Sequence, residues 1–192
     1  MRTRVCLLLL ISLSFSRDVT AQSDPSAPVK QVTLRDAHLT DQVRKDIYAL
    51  VLKDMEGSGE QDTARLKEMT LNLSVIFMKL SKDGSSSILV EGDEGNPLGS
   101  TNGIGNEPFW LFRRVGDHAV LVFFTVGQGV SVKPTFHHGM RDISTGQRMG
   151  HSMTFSAEVD EFDGTNYRPA YCYDSSVDEK GKDIKSPRHP CS

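Results

Sequence analysis

At 192 residues, the chain has the length of one domain with a short extension, enough to bury a proper core. Lys and Arg number 22 against 25 Asp and Glu, a formal net charge of −3, so no phosphate-seeking face is expected and nucleic acid is not a predicted partner. After the leader described next, no apolar run approaches the roughly 20 residues of a membrane span, so the mature chain is expected to carry no transmembrane segment.

The first 21 residues read as a secretory signal peptide. Arg2 and Arg4 make a basic start, residues 5–15 are an unbroken run of apolar and small side chains, and Val19-Thr20-Ala21 suits a signal peptidase, with cleavage after Ala21. Residues 22–30, with two prolines and little hydrophobicity, read as a flexible leader. The expected location is therefore secreted or periplasmic. Cys6 leaves with the signal. The remaining pair, Cys172 and Cys191, is expected to form a disulfide in an oxidising compartment, worth about 3 kcal/mol in a chain-entropy account.

One helix is predicted next. Thr40 or Asp41 can cap it, Val43, Ile47, Leu50, Val51 and Met55 recur at helical spacing, and Gly57-Ser58-Gly59 stops it. Residues 61–69 offer no more than a short helical turn. From Leu71 the period becomes two, and residues 71–78 are apolar on both faces, the pattern of a strand buried on both sides. Further strands are predicted over 87–91, 108–115, 118–126, 129–136, 152–162 and 167–173. A long loop spans 92–106, and 139–150 is a less regular stretch. Asp163-Gly164 marks a hairpin turn. The sum is an α+β fold: one N-terminal helix with a mainly antiparallel sheet of six or seven strands. It is expected to form a single domain over 31–173, followed by a polar C-terminal tail over 174–192.

Three segments carry a more specific pattern: Gly105-Asn106-Glu107-Pro108-Phe109-Trp110-Leu111-Phe112, then Gly139-Met140-Arg141-Asp142-Ile143, then Phe162-Asp163-Gly164-Thr165-Asn166-Tyr167 with Cys172-Tyr173. In that order they resemble a group of secreted bacterial proteins of unknown activity, which share a GNxxFWxF strand, a GxxDI segment, an FDGxxY hairpin and a CY pair. Members of the group often carry two cysteines around the GN turn, where this chain has Thr101 and Glu107. The shorter stretch 105–110 is similar to the GxEPFW strand of small envelope domains, lysozyme-inhibitor and lipoprotein modules among them.

The chemistry-bearing candidates are few. His137, His138, Asp142 and His151 offer the nitrogen and oxygen donors that zinc or copper takes, with His118 on a neighbouring segment. Their spacing argues against a site, since adjacent strand residues point to opposite faces. No metal and no other cofactor is expected. Gly150-His151-Ser152 is half of a nucleophile elbow and lacks its final glycine. Phe109, Trp110 and Phe112 are the candidate binding face, weighed against the alternative that aromatics on adjoining strands build the core. The expected function is an exported, non-catalytic domain that binds an envelope or extracellular protein. The alternatives are a small secreted hydrolase or metal-dependent enzyme, and a module of the lysozyme-inhibitor kind.

Overall fold

The computed structural model describes residues 32–93, 96–99, 105–148, 155–177 and 183–191. The signal and leader segments, His151 and Ser152 lie outside them. Among the described residues, ten strands and two helices follow in the order β1 (Val32–Thr33), α1 (Asp41–Glu56), α2 (Thr63–Asn72), β2 (Ser74–Met78), β3 (Ser87–Glu91), β4 (Glu107–Val115), β5 (His118–Gly127), β6 (Val130–His137), β7 (Met140–Arg148), β8 (Phe155–Phe162), β9 (Tyr167–Val177) and β10 (Asp183–Lys185). The fold is α+β and mostly β. Its strands form two five-stranded antiparallel sheets, β1-β2-β3-β4-β5 and β10-β9-β8-β7-β6, rather than one sheet of six or seven.

The first sheet is the middle layer, and alternation along its strands feeds two separate cores. Ile88, Val90, Trp110 and Phe112 pack with Val43, Ile47, Val51 and Met55 of α1 and Leu66 of α2. Their neighbours Leu89, Phe109 and Leu111 pack the other way, with Met140, Ile143, Phe162 and Tyr167 of the second sheet. Helix α1 begins as its sequence requires. The Thr40 hydroxyl accepts from the Val43 N–H at 3.4 Å, and buried residues recur every fourth position to Met55. A second full helix replaces the expected short turn. The Asp62 carboxylate caps α2 by accepting from the Arg65 N–H at 2.9 Å, and the helix runs to Asn72, so β2 starts three residues later than its alternation suggested.

Two carboxylates fasten α1 to the sheet. Asp54 accepts from the Trp110 indole N–H at 2.9 Å, and Asp46 accepts from the Ala119 N–H at 3.1 Å while lying 2.9 Å from His118 Nδ1. The Ala119 amide, chiefly, holds the Asp46 carboxyl below its usual range. Part of the segment expected to be a polar tail is also folded. β9 continues to Val177, β10 pairs with it, and Cys172 exchanges backbone hydrogen bonds of 2.8 and 2.9 Å with His189. The Cys172–Cys191 disulfide closes this corner, with its Cα atoms 5.0 Å apart.

Trp110 has no exposed surface and is the largest side chain of the helix-facing core. Trp110→Ala is expected to cost about 3–5 kcal/mol in urea unfolding, whereas alanine at the exposed His118 stays near 1 kcal/mol or below. Equal effects of the two would show that this core is not where the stability resides.

Candidate functional site

The three aromatic residues of the candidate binding face are core residues. Phe109 is 4% exposed, and Trp110 and Phe112 are fully buried, Phe109 on one side of the middle sheet and the other two on the opposite side. The glycine-asparagine segment before them serves the fold. Gly105 sits at φ +71°, and the Asn106 side-chain oxygen accepts from Gln128 Nε2 at 3.1 Å and from the Arg148 N–H at 3.3 Å. That contact ties the start of β4 to the β5–β6 turn and to the end of β7. Asp163 plays a similar part in the β8–β9 turn, where its carboxylate accepts from the Thr165 and Asn166 amides, both at 2.8 Å, and is held below its usual range by them.

Two of the four candidate metal ligands come together. His138 and Gly139 form a tight two-residue turn, both with positive φ, which sets His137 of β6 opposite Met140 of β7. His137 Nδ1 then lies 2.8 Å from Asp142 Oδ1, and its Nε2 lies 3.6 Å from Glu161 Oε2 on β8. The Thr135 hydroxyl donates to the other Asp142 oxygen. The Asp142 hydrogen bond, foremost, raises the His137 pKa, with the Asp142 and Glu161 charges adding to it. The donor atoms of His137, Asp142 and Glu161 fall within 4.8 Å of one another, close enough to share an ion. Both imidazole nitrogens already face carboxylates and the buried Asp142 has its donors, so the network satisfies itself without one. His138 occupies the turn instead of joining the group, and His118 is engaged with Asp46.

A different pair of acids stands out, and the sequence reading passed over both. Glu158 and Asp160 lie two apart on β8, with a bulge at Val159/Asp160, where Asp160 faces Pro169 of β9. Asp160 is fully buried, and neither carboxyl oxygen accepts a hydrogen bond from any donor among the described residues. The group acting on it is another acid, Glu158. Burial first, then the Glu158 charge and a hydrogen bond that the protonated Asp160 gives to Glu158, push Asp160 up to about 7.

The pair lies at a cleft of about 330 Å³ where β5 meets β8 and β9, lined by Leu121, Val122, Phe123, Tyr167, Arg168 and Pro169 among others. Phe123 and Tyr167 meet there edge to face, with ring centroids 6.0 Å apart. The Tyr167 hydroxyl donates to the Arg141 carbonyl at 2.7 Å, and burial, chiefly, pushes its pKa up. Glu158 also lines a second cavity of about 230 Å³, with Thr125, Thr145, Gln147, Ser156, Cys172 and His189. Glu158 is thus the half-buried carboxylate common to two openings, with Asp160 buried beside it. The only sequence signal for the pair was the E-x-D spacing on a strand that also carries the core residue Phe162.

No family model, curated protein or solved structure matches the chain.

The isolated acid has a consequence for stability. In the folded chain Asp160 holds its proton up to about 7, while in the unfolded chain it releases it near 3.8, so stability falls as pH rises between those values. Asp160→Asn removes that loss and offers an amide that Glu158 can accept from. The variant is expected to melt above wild type at about pH 8, with the gap closing toward about pH 4. A gap independent of pH would show that Asp160 is ionised and satisfied in the native protein.

Proposed function

We propose that the chain is an exported, non-catalytic domain that binds a protein or an envelope component through the cleft at Glu158. The observation carrying this reading is the carboxyl pair: a native fold that leaves a buried acid without a donor keeps an electrostatic demand that a ligand can meet. Export is supported by the leader pattern of residues 1–21 and by the Cys172–Cys191 disulfide, since such bonds persist in oxidising compartments. Among the described residues no helix is long and apolar enough to cross a membrane.

A secreted hydrolase is the second reading, because a carboxyl that titrates near neutrality beside a second acid is the pairing that acid–base hydrolysis uses. Asp160 has no exposed surface from which to reach a scissile bond, and this favours binding over catalysis.

Capture from an envelope extract by the immobilised mature chain tests the proposal. Pro169→Trp, which places a large ring at the exposed lip of the cleft, is expected to abolish capture of the component that wild type retains. Val115→Ser, on the exposed end of β4, is expected to leave it unchanged. Equal capture by Pro169→Trp and wild type would place the binding face elsewhere.

A further inference from the structure

Resting on the reading of the cleft as a binding site, we propose that its ligand group is a primary ammonium on an aliphatic stem, the chemistry of a lysine side chain or of a free diamine. The inner end of the cleft has surplus acceptors and lacks donors: the half-buried Glu158 carboxylate is open to it, and the buried Asp160 beside it, whose oxygens receive no hydrogen bond from the described residues, adds a second acid. An ammonium is the complement, with three donors and no acceptor. The walls suit its stem. Leu121, Val122, Phe123 and Pro169 are apolar, and the edge-to-face pair Phe123–Tyr167 offers aromatic surface to a methylene chain or to the cation itself.

His189 shares the adjoining cavity with Glu158, its Nδ1 3.0 Å from the Pro190 carbonyl oxygen and its Nε2 4.0 Å from Asp174, and the other surrounding charges leave the acids uncompensated. Arg168, at the rim, is engaged 3.2 Å from Asp163. Arg113 of β4 lies over the Phe162 ring, 5.6 Å from its centroid, rather than on the carboxyls. On β7, Ile143 and Thr145 stand opposite Asp160 and Glu158, and both are uncharged. From β5 the cleft receives only Leu121, Val122, Phe123 and Phe124. On β9, Tyr167 keeps its proton and directs it to the Arg141 carbonyl. A calcium ion takes six to eight oxygens, and this cleft offers two carboxyls and the Asn166 amide.

Proton linkage gives the proposal its signature. Near neutral pH the acid pair retains a proton, which a bound cation displaces because it favours the doubly ionised state. Binding therefore releases protons and tightens as pH rises. Calorimetry on the full mature chain, with 1,5-diaminopentane, with N-acetyl-lysine methylamide and with neutral 1,5-pentanediol, measures this directly. Both amines or either one are expected to bind, and the diol is expected not to. Tighter binding of the lysine amide points to a partner protein's side chain, and tighter binding of the diamine points to a free polyamine.

Affinity is expected to rise about threefold to tenfold between about pH 6 and about pH 8, and Asp160→Asn is expected to remove that dependence. Glu158→Gln is expected to weaken binding about tenfold or more. Arg168→Glu changes only the exposed rim, so it keeps the core intact, and it is expected to tighten amine binding severalfold. Binding of neither amine at millimolar concentration overturns the proposal. So does saturation by calcium in their place, or amine affinity indifferent to both Glu158→Gln and Arg168→Glu. If the amines fail while Pro169→Trp still abolishes capture from envelope extract, the ammonium assignment falls and the binding reading survives. If both fail, both readings fall.

Discussion

A sheet buried on both faces has to be covered on both faces, and this constraint organises the molecule. β3 presents four consecutive buried residues, Ser87 to Val90, and β4 presents five, Pro108 to Phe112. Each large side chain so placed contributes about 1.5–3 kcal/mol of transfer free energy, realised only while both covers are in position. The helices supply one cover, aligned by Asp46 on the β5 edge and Asp54 on Trp110. The second sheet supplies the other and is held at its corner by Asn106, which bridges Gln128 and Arg148. The polar contacts lie at the margins of the two cores, where they fix the register between layers without interrupting the apolar packing.

The second sheet carries two buried aspartates on adjacent strands, and the contrast between them locates the cleft. Asp142 receives the Thr135 hydroxyl and the His137 ring and answers an ordinary structural need. Asp160 receives no hydrogen bond from the described residues and has Glu158 as its neighbour. Burying a carboxyl in that way costs stability unless it is protonated or meets a cation. The bulge at Val159/Asp160 and the Pro169 opposite, which has no N–H to give, belong to the same local irregularity. A tail fastened by Cys172–Cys191 borders the adjoining cavity through His189.

Much of the framework was legible in the residues. The α1 stripe, the Gly57 stop and the bounds of β3 follow from periodicity and turn chemistry, and β4, β5 and β6 lie within a residue or two of their expected limits. Three strands escaped. β1 has two residues and β10 three, too few to show a period. β7 hides because three of its five buried positions are filled by Asp142, Ser144 and Thr145, whose burial depends on partners from other strands, leaving only Met140 and Ile143 as an apolar signal. Helix α2 overran its apparent end because Leu71 and Leu73 fit the start of an alternating strand equally well. The Cys172–Cys191 pair was readable from its count alone. The His137–Asp142 contact was not, because it depends on a two-residue turn at His138-Gly139. Glu158 and Asp160 escaped for a similar reason: acids in a strand read as its solvent face, and only the tertiary packing removes Asp160 from water.

The central claim is that the middle sheet is the last part of the protein to come apart, since both cores depend on it. Native-state hydrogen exchange tests this most directly. The account predicts that the hydrogen-bonded amides of β3 and β4, Ile88 to Glu91 and Phe109 to Phe112, exchange only through global unfolding, and that those of β6 and β10 exchange faster through local opening. Slower exchange in β8 and β9 than in β3 and β4 would contradict it and place the structural centre in the second sheet.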